Sequence, residues 1–118
     1  MLKIKYGMIL LLGLSMQTQA SVERYVAAIE KVNAQAQLEM RDFFRSLDPQ
    51  LQGFSTEQKS NYCSILQKQV KGLYQAADKY RNVLDKQYKN ITKADVIQDV
   101  QKKHSILALK YQLQCELH

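Results

Sequence analysis

Two cysteines, two histidines, two aspartates one helical turn apart and a row of lysines are the residues of this 118-residue chain whose types and spacing could carry chemistry. Cys63 and Cys115 are an even pair, which in an oxidising compartment favours one intramolecular disulfide over two independent buried thiols. Such a bond closes a loop of about 50 residues, which in the chain-entropy picture contributes roughly 4 kcal/mol. Neither His104 nor His118 has a Cys, His, Asp or Glu at a spacing that builds a metal site, so no metal is expected. Asp95 and Asp99 need no catalytic role, because the helix dipole by itself favours acids at a helix start. No serine-centred elbow, phosphate-cradling glycine loop or haem-attaching cysteine pair occurs. Met40 and His104 both fall toward the inner side of their helices and could bracket a haem, but bundle cofactor pockets converge more groups than one Met and one His. The chain therefore reads as a non-enzyme without a cofactor.

What is left is surface chemistry. Lys68, Lys71, Lys79, Lys86, Lys89 and Lys93 fall within about 80° of one another if one helix carries them all. The row lies nearly opposite the apolar stripe, where any soluble helix places its solvated charges, so a plain solvated face competes with a basic binding surface. Charge is uneven along the chain. Residues 21–55 hold four basic and five acidic side chains, whereas residues 56–118 hold eleven and six. The basic part suits an acidic partner, whether anionic lipid, lipopolysaccharide phosphate or acidic protein, and the attraction would be salt-sensitive. A second candidate is the apolar set Ile106, Leu109, Leu113 and Leu117, which lies opposite the stripe Val96, Val100, Leu107, Tyr111 and Cys115 of the same helix. Either this helix is central and both stripes are core, or the second is an exposed ridge that docks a partner or a second copy of the chain.

Compartment follows from the N-terminus. Lys3 and Lys5 precede the apolar run of residues 6–16, and Gln17-Thr18-Gln19-Ala20 places small residues where a signal peptidase reads them. Residues 1–20 are therefore expected to be a cleavable signal peptide, with the working domain at residues 21–118 in the periplasm or outside the cell. The apolar run is shorter than the roughly 20 residues a bilayer span needs. No cysteine follows the cut to carry a lipid, so a stable membrane anchor is not expected, and export argues against nucleic acid as a partner.

The elements that must position these residues are helical. The working domain is poor in Gly and Pro, rich in Ala, Leu, Gln, Lys and Glu, and free of alternating β-branched runs. Stops fall at Asp48-Pro49 with Gly53, and at Asn90-Ile91-Thr92. Each is followed by a capping-box spacing, Ser55 with Gln58 and Thr92 with Asp95. Helices are predicted near 22–46, 56–90 and 93–117. In the first, Val22, Tyr25, Val26, Ile29, Val32, Ala36, Met40, Phe43, Phe44 and Leu47 share an arc of about 120°. In the second, Tyr62, Cys63, Leu66, Val70, Leu73, Ala77, Tyr80, Leu84, Tyr88 and Ile91 form a comparable stripe, with Gly72 a weak point. Counted from Ile91, Cys63 lies about 42 Å back and Cys115 about 36 Å forward at 1.5 Å per residue, so both reach the open end of one hairpin. The predicted fold is all-α, an elongated antiparallel three-helix bundle with one disulfide.

Phe54-Ser55-Thr56-Glu57-Gln58 resembles, over five residues, the Leu-Thr-x-x-Gln motif of the periplasmic Spy/CpxP-type stress chaperones, with Phe for Leu and Ser for Thr. The resemblance implies a helical, exported, basic protein that holds unfolded clients. The capping box accounts for the same spacing. The function expected from the residues is that of a small exported binding protein, such as an immunity or inhibitor protein facing an envelope-targeted toxin. The alternative is a chaperone-like factor.

Overall fold

The computed structural model describes residues 2–50 and 53–118, with the side chains of residues 20–50, 53–85 and 88–118. All regular structure among them is helical. Helix α1 spans Leu2–Arg45, α2 Thr56–Lys79, α3 Lys86–Lys89, α4 Lys93–Lys103 and α5 Ser105–Tyr111, with a 3-10 turn at Arg81–Val83. The long axis of the molecule is 67 Å against 27 and 19 Å across. A helix of 44 residues is about 66 Å long at 1.5 Å per residue, so α1 sets that length.

Helix α1 starts well before residue 22: it runs through Gly7 and Gly13, and neither Gly nor Pro interrupts residues 14–48. The expected signal peptide falls within it, and the side chains of residues 1–19 lie outside the described residues. Its end is as predicted. Ser46 Oγ donates to the Phe43 carbonyl at 2.6 Å, and Asp48 Oδ1 accepts from the Gln50 N–H at 2.9 Å in a turn built around Pro49. Both capping boxes form. Ser55 Oγ accepts from the Gln58 N–H while Gln58 Oε1 accepts from the Ser55 N–H, and Thr92 and Asp95 exchange the same pair.

The second and third helices also differ from the prediction. The second helix stops at Lys79 instead of running to residue 90, since Asn82 and Asp85 favour turns and Arg81 holds the turn closed. Arg81 Nη1 donates to the carbonyls of Lys89 at 2.6 Å and Ile91 at 3.1 Å, while Leu84 is buried beneath. The third helix breaks at His104 and ends at Tyr111. Gln112 then takes the left-handed conformation (φ 53°, ψ 47°), with its N–H on the Ala108 carbonyl, and this reverses the chain.

The disulfide Cys63–Cys115 is present, with the Cα atoms 5.4 Å apart. Cys115 does not reach it on a helix, however. It sits in the non-helical tail beyond Gln112, which runs along α2 so that Cys115 meets Cys63 and His118 meets Gln67. Gln67 clasps the tail: its Oε1 accepts from the His118 N–H at 2.9 Å and its Nε2 donates to the His118 carbonyl.

Helix α2, rather than the third predicted helix, takes the central place, packing against both α1 and α4. Its Tyr62 and Val70, with Val100 of α4, are the largest fully buried side chains. Met40, Phe43, Phe54, Leu66, Leu73, Val96 and Leu113 complete the core. Gly72 lets α1 and α2 approach closely, since a Cβ there would lie 2.9 Å from both methyls of Val32. The contact is flanked by a hydrogen bond from Gln69 Nε2 to Asn33 Oδ1 at 3.0 Å and by the ion pair Lys68–Glu39 at 2.6 Å.

Candidate functional site

The predicted apolar set divides by fate. Ile106 and Leu109 are 78 % and 82 % exposed, the most exposed large apolar side chains among the described residues, whereas Leu113 is 5 % exposed and sits in the core. Leu117 is half-buried and packs on the core. A single helix would have aligned all four. The left-handed turn at Gln112 sends Leu113 inward and leaves Ile106 and Leu109 standing on α5.

Beside α5 lies an open groove of about 1220 Å³, walled by Leu66 of α2, Ala108 and Leu109 of α5, and Leu113, Cys115 and Leu117 of the tail. The groove exists because the tail is held against α2, by the disulfide at Cys115 and by Gln67 at His118, so that α5 and the tail form its two banks. An aromatic cluster supports it. Phe54 stacks on Tyr111 at 4.7 Å between ring centres and meets Phe43 at 5.5 Å, and Tyr62 packs edge-on against His104 at 6.4 Å.

Two polar groups of the groove, both placed on inner helix faces by the sequence, acquire their setting only in the fold. Tyr62 is 1 % exposed, and its hydroxyl has no hydrogen-bond partner among the described residues. Burial pushes that phenol above its ordinary range. His104 lines the same groove, and burial, reinforced by the neighbouring Lys103, holds its imidazole below the usual value. It is therefore neutral near pH 7 and offers one donor and one acceptor. Tyr62 was legible as core from its stripe; its unpartnered hydroxyl depends on which residues surround it, and no periodicity reports that.

The lysine row is dispersed. Lys68, Lys71 and Lys79 are on α2, Lys86 and Lys89 on α3, and Lys93 opens α4. Lys68 pairs with Glu39, Lys79 lies 5.5 Å from the Tyr80 ring centre, and Lys93 lies 6.0 Å from that of Tyr74. Lys71 and Lys89 are exposed, and the side chain of Lys86 is outside the described residues. The chain changes direction after Lys79, so these six do not share one helix face.

Between α1 and α4 a smaller cleft of about 440 Å³ has Leu73 and Ala77 of α2 as its floor and Tyr25, Tyr88, Asp95 and Asp99 among its walls. Asp95 is already engaged with Thr92, whose backbone N–H lowers its pKa, and Asp99 pairs with Lys103 at 3.0 Å. Among the described residues no three His, Cys, Asp or Glu side chains group to hold a metal ion, and no helix is long and apolar enough to cross a membrane. Set beside known proteins, the chain matches no family model, no curated protein and no solved structure.

Proposed function

We propose that this is a small exported, non-enzymatic binding protein of the periplasm that docks another protein through the α5 face and the groove beside it. The observation that carries the reading is the pair Ile106 and Leu109, standing mostly exposed on α5, with Leu109 also lining the open groove beside it. Two neighbouring aliphatic side chains in water are a standing cost that a partner relieves, and apolar side chains next to a concave wall are how docking surfaces are built. Export is supported by the charge, apolar run and small-residue pattern of residues 1–20, and the disulfide is consistent with an oxidising compartment. In this reading the working domain, residues 21–118, behaves as a three-helix bundle of α1, α2 and α4–α5, and a stapled tail gives the docking surface a fixed shape. A rigid surface of this kind suits an immunity or inhibitor protein that neutralises one envelope-targeted toxin or enzyme, because pre-ordering lowers the entropy lost on binding.

A chaperone-like role is the second reading. It is favoured by the openness of the groove and the near-complete exposure of both aliphatic side chains, features that would also admit varied unfolded clients.

The test is capture from an envelope extract by the exported, disulfide-bonded protein, alongside Ile106→Asp and Leu109→Asp variants. Loss of one tightly held partner with helicity unchanged supports the inhibitor reading. Weak retention of many clients supports the chaperone reading, retention of a second copy of the chain identifies a homodimer, and unchanged capture by both variants rejects the α5 face. Mass spectrometry of the exported protein should find Ser21 at its N-terminus; an intact Met1 there would reject the leader.

A further inference from the structure

The chemistry of the groove narrows the partner. Its aliphatic walls are interleaved with Gln101, Ser105, Gln112 and Gln114, which both donate and accept, so charge is what can select an occupant. Lys59 lines it, and among the described residues it enters no ion pair. On α5, Lys110 follows Ile106 by one turn, and Lys102 is exposed near the end of α4, just before the break at His104. Lys102 also enters no ion pair among the described residues, and Lys110 has only the Tyr111 ring, 5.3 Å from its Nζ. Beneath the groove the Tyr62 hydroxyl is buried without a hydrogen-bond partner among the described residues. Against these lysines Glu116 is the one carboxylate that lines the groove among the described residues.

We infer, building on the protein-docking reading above, that the groove takes an acidic amphipathic segment of the partner protein, with its aliphatic side chains against Leu109 and Ile106 and its carboxylates toward Lys59, Lys102 and Lys110. An ionised carboxylate is an acceptor only, so it complements lysines, which only donate. A basic segment would meet like charge at the same positions. The basic determinant is thus this trio around α5 rather than the lysine row of the second predicted helix. The attraction acts across a solvated rim, so it sets partner choice and association rate and weakens with salt.

The probes are two synthetic helical peptides of about fifteen residues with the same leucine face, one flanked by glutamates and one by lysines. Each is titrated into the isotope-labelled, disulfide-bonded protein while backbone amide shifts are followed. The glutamate peptide is expected to move the amides of residues 101–117, to bind at least about tenfold more tightly than its lysine twin, and to weaken several-fold in 0.5 M salt. A Lys102→Glu/Lys110→Glu double variant, both positions exposed, should reverse the preference while keeping its melting temperature. Equal binding of the two peptides, shifts confined to another surface, or no binding of either would overturn the inference. So would tight binding to phosphatidylglycerol vesicles without peptide binding, which would make the site a membrane contact. These failures are separable from failure of the docking reading, since capture of an envelope partner that is lost in Leu109→Asp would still stand if charge selectivity did not.

Discussion

At Gly72 a residue that reads as a helix weakness is the reason two helices can approach. In an exposed helix, Gly→Ala stabilises by about 1 kcal/mol. Here the new methyl would sit 2.9 Å from both Val32 methyls, which a β-branched side chain on a helix cannot move aside by changing rotamer. Overpacking of this kind costs about 1–3 kcal/mol, so the clash outweighs the propensity gain and Gly72→Ala should melt several degrees lower than the parent. Adding Val32→Ala should restore part of the loss; strict additivity in the double-mutant cycle would refute the contact. His104 makes a different forecast. Its imidazole is held below the ordinary 6.5, first by burial and then by Lys103, so the unfolded chain takes up a proton that the folded chain resists. Stability should therefore be unaffected by this group above about pH 6.5 and fall as pH drops from there toward the lower folded value. Urea midpoints between pH 7.5 and 5.5 would show the slope, and His104→Gln should flatten it. Asp95, held below its ordinary 3.8 by the Thr92 N–H, makes its own contribution in more acid solution, lost as pH falls through that value toward the lower folded one.

Among the elements, the tail carries more responsibility than its lack of regular structure suggests. It supplies one bank of the groove, buries Leu113, and is held at two points one helical turn apart on α2, Cys63 and Gln67. Replacing both cysteines by serine should cost about 4 kcal/mol by the loop-closure argument. The loss should appear first as rapid hydrogen exchange across residues 112–118, while α1 and α2, joined by their own core, keep their protection. Equal loss of protection in all helices would mean that the staple supports the whole core instead of the tail. The turn after α2 is likewise closed by one side chain, Arg81, which holds two carbonyls of the segment leading into α4.

For the whole molecule, the division between core and surface runs through four leucine and isoleucine residues that the sequence presents as equivalent. Leu113→Ala should cost about 2–5 kcal/mol, the range for an aliphatic side chain removed from a core. Ile106→Ser and Leu109→Ser should stay within about 0.5 kcal/mol of the parent, because those side chains are already in water. Thermal or urea unfolding of the three variants measures this directly, and a large loss in either serine variant would place α5 in the core. The same contrast explains the choice of Leu109 for the docking experiment: a variant that unfolds cannot report on a surface.

Periodicity, capping and turn chemistry are local, and from them the sequence alone determined the helical class, the stop at Pro49, both capping boxes, the stripe that buries Tyr62, Leu66, Val70 and Leu73, and the pairing of Cys63 with Cys115. Only the tertiary structure decided where the second and third helices end, that α2 is central, that Cys115 reaches its partner in a reversed tail, and which of Ile106, Leu109, Leu113 and Leu117 face water. The physical reason is the range of the forces. A helix stop such as Lys79 or Tyr111 has no proline to announce it and is set by distant groups, Arg81 on the Lys89 and Ile91 carbonyls or the disulfide and Gln67 on the tail. Those groups meet only once the chain has folded.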